Sequence, residues 1–569
     1  MLTHRSMPAS SLAAALSLLL AAAPAPARAQ DAFMQNRADV SGRSGAVVAG
    51  HPLAAAAGYE VLRRGGNATD AAVTMAGVLA VVRPHMNGVG GDAFALFFDG
   101  ETHAVTGLNG SGRAGALATP EFFAEHGMTE MPSSGAATIT VPGAVSAWAA
   151  ALERNGTITL AEALAPAIEL AENGWVVTST LQRDIGGDGV DRLNDAGRAI
   201  FAPGGALPPV GAVLRNPRLA ATLRTIAQGG ADAFYRGAIG ETIARFVAAE
   251  GGHLTAEDFR THQPEWVEPL EMVLAGGRHV HAMPPNSQGF VALQQLAMTE
   301  SFDLAAMQHN SADYLHTLIE IKKLAFADRD RWNADPAFSP PPLDQLLDRN
   351  YLRARAALVA DTAADDVAPG IGSPDRTEQA SGDGDTVYLM AVDSDGNAVS
   401  WIQSLFSTFG SKLVEPETGV VLQNRGAGFT LDESHPNVVA PGKRPFHTLM
   451  PLLITDGDGA LRMTLGTPGG HGQSQFLTQV YHNVFTFGMT PQEAVEAPRY
   501  IHNGGVRVSL ESAVADDVVA ALEERGHDIR TIDGWSATFG GVQIILVDPV
   551  SGTLRTGADP RREGYGLAY

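Results

Sequence analysis

From Val387 to Val392 six apolar residues follow one another without a polar break, and the turn-forming stretch Asp393-Ser394-Asp395-Gly396-Asn397 ends the run. Such a run predicts a strand covered on both faces. A second apolar run, Ala398 to Leu405, comes next, and the two read as a hairpin. With residues 393–397 as its loop, Val392 faces Ala398, and stepping outward pair by pair brings Thr386 opposite Ser404. Directly opposed residues of an antiparallel pair have Cβ atoms roughly 4.5–5.5 Å apart, so two hydroxyls are expected to meet at the start of the first strand. On this stretch alone, an ordinary Thr/Ser pair at a sheet edge is the favoured reading.

The flanking pattern predicts a layered α+β chain. Val47-Val48-Ala49 reads as a strand, residues 51–64 as a helix closed by Gly65-Gly66, and residues 67–82 as a second helix capped by Asn67 or Thr69. Residues 93–99 are strand-like. Between 141 and 361 the spacing is mainly helical, notably at 160–173, 217–226, 238–250 and 312–331, with a strand at 278–282 and a helix at 290–298. Residues 362–385 carry hardly a large apolar side chain and read as an exposed, flexible segment. After it come strand-like runs at 387–393, 398–405, 419–423, 450–455, 461–466 and, as the last strand, 541–547, with helices near 474–486, 490–496 and 514–526.

Two motifs are set aside. Gly88-Val89-Gly90-Gly91-Asp92-Ala93 imitates a dinucleotide turn, but such a turn needs a strand before it and a helix after it, and here the order is reversed. Its glycines are expected to let two backbones approach closely. His279 and His281 share one strand face without an evident third ligand, so no metal site is expected there.

Composition narrows the chemistry further. His4 and Arg5 precede the apolar run Leu12 to Ala23, and Ala27-Arg28-Ala29 is a small-x-small cleavage site, so residues 1–29 are expected to be a signal peptide of a periplasmic or secreted protein. The formal net charge is −23, and losing Arg5 and Arg28 lowers it by two more. Such a surface repels nucleic acid and anionic membranes. The chain has no cysteine, which excludes disulfides and thiol catalysis.

Several blocks, in order, resemble the γ-glutamyltransferase (glutathione hydrolase) family of N-terminal nucleophile hydrolases. They are Ala49 to Ala54 with Leu62 to Ala72, Gly88 to Asp92, Val141 to Ala144, Gly384 to Tyr388 with Asp395 to Val399, Pro441 to Pro445, and Gly466 to Gly470. The resemblance implies a four-layer αββα sandwich with a helical region in the large subunit, no cofactor and no metal. It also implies a precursor that cuts itself between Asp385 and Thr386 into a large subunit (30–385) and a small one (386–569) that stay together; a dimer of such pairs is left open. An N-terminal threonine suits the chemistry, because its α-amine, with a pKa of ~7.7–8.0, can serve its own hydroxyl as general base. By the same resemblance Ser404 is the second hydroxyl that bonds the nucleophile, and Gly469 and Gly470 form the oxyanion hole. Arg113 holds the substrate carboxylate, and His447 and Thr448 stand where two serines contact the same end of the substrate.

Substrate recognition departs from the family pattern. The positions that hold the α-amino and carboxylate groups of a γ-glutamyl donor are here Phe406, Arg425 and Gly428, and an arginine cannot accept a hydrogen bond from an ammonium. Glu417 or Asp432 could supply the missing acid. Otherwise Arg113 and Arg425 would suit an acyl group with a free carboxylate and no amine. Residues 429–444 are too few for a lid loop, which favours water over an amine as acceptor. The leading expectation is hydrolysis or transfer of γ-glutamyl amides such as glutathione. The alternatives are an acylase or amidohydrolase for glutaryl- or oxamate-type amides and, in another class, an unprocessed secreted binding protein.

Overall fold

A computed structural model describes residue 1, residues 36–186, 188–372 and 384–569. The expected signal peptide, residues 2–29 of it, lies outside the described residues, as do residues 373–383.

Two seven-stranded sheets face each other. The first runs, edge to edge, Tyr565–Ala568, Ala46–Ala49, Gly384–Val392, Ala398–Ser407, Asp92–Phe98, Val105–Gly110 and Glu265–Val267, every neighbour antiparallel. The second runs Val40–Gly42, Leu554–Ala558, Gln543–Val547, Leu461–Gly466, Leu452–Thr455, Arg278–Ala282 and Leu270–Leu274. Period-two alternation sorts the side chains. Val387, Leu389 and Ala391 enter the core beneath the helices Pro52–Arg63, Ala68–Val82, Ala144–Asn155 and Leu160–Asn173. Tyr388, Met390 and Val392 enter the core between the sheets with Phe94, Leu96, Leu453 and Ile545. A third core joins the second sheet to the helices Gly289–Thr299 and Gln473–Phe485. The result is the αββα sandwich expected from the sequence. The sheets approach closely near the nucleophile strand, where a side chain at Gly466 would collide with the Tyr388 ring.

The helix Ala68–Val82 is buried along its whole length, so no polar stripe marks it. Its start is fixed by a capping box in which Asn67 accepts from the Asp70 N–H and Asp70 from the Asn67 N–H. The expected strand at 419–423 is not a strand. Gly419 has φ +69°, and the following residues bond in turn to Glu415, Leu413 and Gly90, so only isolated bridges form. Nor is 543–547 the last strand. Leu554–Ala558 and Tyr565–Ala568 follow it, short and broken by glycine and charge, which hid their alternation. Residues 363–371 lie along the helix Ala312–Trp332, where Lys323, Arg355 and Trp332 donate to the carbonyls of Ala364, Ala368 and Ile371.

Candidate active site

The hairpin register places Thr386 opposite Ser404, with Val392 opposite Ala398 at the turn end and a bulge between Asp385 and Thr386. Both hydroxyls continue the rows that face between the sheets, and both are buried. The Thr386 hydroxyl donates to Ser404 Oγ at 3.1 Å. Ser404 Oγ in turn donates to the Asp385 carbonyl at 2.7 Å and accepts from the Phe406 N–H at 2.7 Å. A single hydroxyl thus touches both the Thr386 hydroxyl, the expected nucleophile, and the carbonyl of the peptide bond at which the cut is expected. Two backbone features hold it there. Gly91 packs so closely on the Ser404 carbonyl that any side chain would strike it. Phe406 takes φ +83°, costly for a bulky side chain, and so turns its N–H onto Ser404.

Gly469 and Gly470, both at positive φ, lead from the second sheet into the helix Gln473–Phe485. The N-terminal end of that helix carries a positive field, which suits the oxyanion role expected of the two glycines. Gly384 lies directly against Gly470: a Cβ on Gly384 would come within 2.4 Å of the Gly470 Cα. The uncut chain therefore passes over the expected oxyanion hole. Asp385 is clamped at its side chain, one oxygen by Arg562 Nη1 at 2.9 Å and the other by the Thr408 hydroxyl.

Arg425 stands behind Ser404. It is fully buried, its Nη2 lies 3.4 Å from Ser404 Oγ, and its guanidinium sits 4.2 Å from the Phe406 ring centroid. Among the described residues its Nε and Nη1 have no hydrogen-bond partner. Burial pulls its pKa down to about 9, with Asp92 pulling the other way. Asp92 is fully enclosed, and burial pushes its pKa up to about 6 against the field of Arg425 and the hydrogen bonds of Gln423, Gly112 and Gly143. Its four hydrogen-bond partners are the N–H groups of Gly112 and Gly143, Gln423 Nε2 and His447 Nε2, at 3.0 to 3.2 Å. Burial, then Arg425, hold His447 well below its usual pKa, so it is neutral. Among the described residues its Nδ1 and the buried Thr448 hydroxyl lack partners.

Arg113 is placed differently from Arg425. It is part-exposed and engaged by Glu265 at 2.8 Å, the Gly442 carbonyl at 3.0 Å and Asp335 at 3.5 Å. Gly428 packs beneath the Phe446 carbonyl. Sequence reasoning missed Asp92 as the hub of this site and Thr408 and Arg562 as the clamp on Asp385. One signal for the first was available: a carboxylate opening the otherwise apolar strand Asp92–Phe98 must be paid for by donors within the fold.

An αββα sandwich that sets a threonine hydroxyl at a strand start, beside a second hydroxyl and a glycine turn, defines the N-terminal nucleophile hydrolase class. Comparison with known proteins gives the family. The model of the gamma-glutamyltranspeptidase family matches residues 54–569, and the chain belongs to that family. It is therefore an amidohydrolase-type enzyme made as a precursor and matured by autoproteolysis. The chain is 38% identical to a glutathione hydrolase-like YwrD proenzyme of Bacillus subtilis, over 93% of this chain and 99% of that protein. It is 36% identical to an oxamate amidohydrolase proenzyme of Klebsiella pneumoniae, over 92% and 98%. Among solved structures, a cephalosporin acylase from Bacillus halodurans aligns with a TM-score of 0.87 at 38% identity, over 96% of this chain and 98% of that one.

Proposed function

We propose that this protein is a Thr386-dependent amidohydrolase whose acyl donor carries a carboxylate and needs no α-amine. One observation carries the reading: a buried arginine, Arg425, with two nitrogens unpartnered among the described residues, stands 3.4 Å from the hydroxyl that serves the nucleophile. A buried guanidinium with no carboxylate hydrogen-bonded to it is costly, and an anionic substrate group supplies that partner beyond the field of Asp92. The acids that could hold an ammonium are otherwise committed. Asp92 accepts from four donors. Glu417 is exposed, 3.8 Å from Arg245, and Asp432 accepts from Ser434. The oxamate amidohydrolase among the relatives supports the same reading by its name. γ-Glutamyl donors are the second reading, supported by the name of the YwrD relative.

In maturation, Thr386 Oγ1 adds to the Asp385 carbonyl carbon, which Ser404 polarises. The hydroxyl proton passes to the departing nitrogen as the C–N bond breaks, leaving an ester and a free Thr386 amine, and water hydrolyses the ester to the Asp385 carboxylate and the Thr386 hydroxyl. In turnover, the amine takes the hydroxyl proton as Thr386 attacks the substrate amide, and the N–H groups of Gly469 and Gly470 hold the oxyanion. The leaving amine receives the proton, and water releases the acyl group.

The test compares glutaryl- and γ-glutamyl-4-nitroanilide on processed enzyme. The glutaryl compound is expected to be turned over at least ~10-fold faster, because the γ-glutamyl ammonium would be buried near Arg425 with no free acid to accept from it. Faster turnover of the γ-glutamyl compound would give the assignment to the second reading. Thr386→Ala is expected to run as a single uncut band without activity; a cut or active variant would remove Thr386 from the mechanism altogether.

A further inference from the structure

The clamp on Asp385 has a second use once the chain is cut. Arg562 sits in the short turn Pro560–Arg562, and two of its nitrogens, Nε and Nη2, donate to the Ala537 carbonyl at 3.1 and 3.0 Å. Gly541 packs against its aliphatic stem, where a Cβ would come within 3.0 Å. The side chain is thus anchored by one edge and extends the other, Nη1, to Asp385. Its neighbours on the same side are already paired, since Arg83 bonds both Asp184 and Glu563. Among the described residues, Asp385 is the one carboxylate that Arg562 pairs with. Thr408 holds the other Asp385 oxygen and itself accepts at its carbonyl from Lys412.

Asp385 is also the acyl group of the first reaction. Its main-chain carbonyl is the one Thr386 attacks, and its side-chain carboxylate hangs two carbons away, so to the nucleophile it is a succinyl group. Ester hydrolysis breaks the only covalent link that keeps it beside Thr386. We infer that Arg562 and Thr408 then form a carboxylate subsite in the mature enzyme, which selects acyl donors whose carboxylate lies two carbons from the reacting carbonyl. The precursor fills this subsite with its own aspartate. The inference rests on the reading above that the donor is anionic and adds a length to it. Arg425, next to Ser404, acts on anionic donors of any length, whereas Arg562 measures the chain.

The experiment uses processed enzyme and the mono-4-nitroanilides of oxalic, malonic, succinic and glutaric acids, with the neutral butyryl anilide as reference. In the wild type, kcat/KM is expected to peak at the succinyl compound. Arg562→Gln is expected to lower the succinyl value ~10-fold more than the oxalyl value, the difference lying in KM, and Arg562→Lys to restore part of it. Thr408→Val should shift the profile the same way by a smaller factor. If the Arg562 variants stay uncut, the wild-type profile decides together with inhibition by free succinate, which should exceed that by oxalate or malonate. A wild type that prefers anionic donors but shows no succinyl peak, or an Arg562→Gln enzyme that loses all lengths equally, would overturn the subsite and leave the anionic donor standing. A wild type that prefers the butyryl compound would overturn both.

Discussion

Two buried arginines, Arg561 and Arg425, illustrate opposite uses of the same side chain. Arg561 forms two bonds with the carboxylate of Glu511, at 2.7 and 2.6 Å, contacts Asp559, and donates to the Val495 and Ala497 carbonyls. Although burial lowers its pKa, the two acids outweigh that and raise it above the usual value. Arg425 is equally enclosed, but among the described residues it has one long contact to a hydroxyl, an aromatic ring and two idle nitrogens. There burial wins, and the charge is held at a cost. The first arginine is saturated and ties the end of the chain to the helix Pro491–Glu496. The second is left unsatisfied at the one place where chemistry is proposed. Partners, rather than burial or charge, separate structure from function.

The largest effect belongs to the saturated site. Arg561→Met leaves Glu511 buried without its cation and is expected to cost about 3–5 kcal/mol, read as a lower denaturation midpoint. Substitution with little loss would erase the contrast. Next comes Arg425→Met, expected to lower kcat/KM for anionic donors ~10–100-fold while the protein still folds. A midpoint that falls as far as in Arg561→Met would make Arg425 structural too.

The smallest effect is a pH dependence. The pKa of Asp92 is raised from 3.8 to about 6, so the stability it contributes is complete below about pH 4 and is lost as pH rises through 6. Arg425→Met removes the cation that favours the charged Asp92. Any stability gained by the variant should therefore be greatest below pH 6 and shrink above it, by a Tm change on the order of 1 °C. A gain that grows with pH would contradict the coupling of the two groups.

Much of this was legible in the sequence where local pattern alone decides. The register that joins Thr386 to Ser404 follows from the loop 393–397 and a side-chain period of two, and it is the register observed. The helices at 160–173 and 312–331 were legible for the same reason. What depends on distant chain segments was not. Arg562 meets Asp385 across 177 positions, and nothing in the stretch Asp559 to Glu563 signals it. Arg425 was legible as a departure from its relatives, but its two idle N–H groups follow only from packing. The false strand at 419–423 shows the converse, because apolar residues there are buried by a loop whose backbone bonds to two separate segments, 411–415 and Gly90.

The most direct test is the ratio of kcat/KM for glutaryl- over butyryl-4-nitroanilide, measured on processed wild type and processed Arg425→Met. If Arg425 is the counter-charge of the donor, the ratio exceeds ~10 in the wild type and falls toward one in the variant. An unchanged ratio would show that the carboxylate is recognised elsewhere and that the idle arginine beside Ser404 does not serve the substrate.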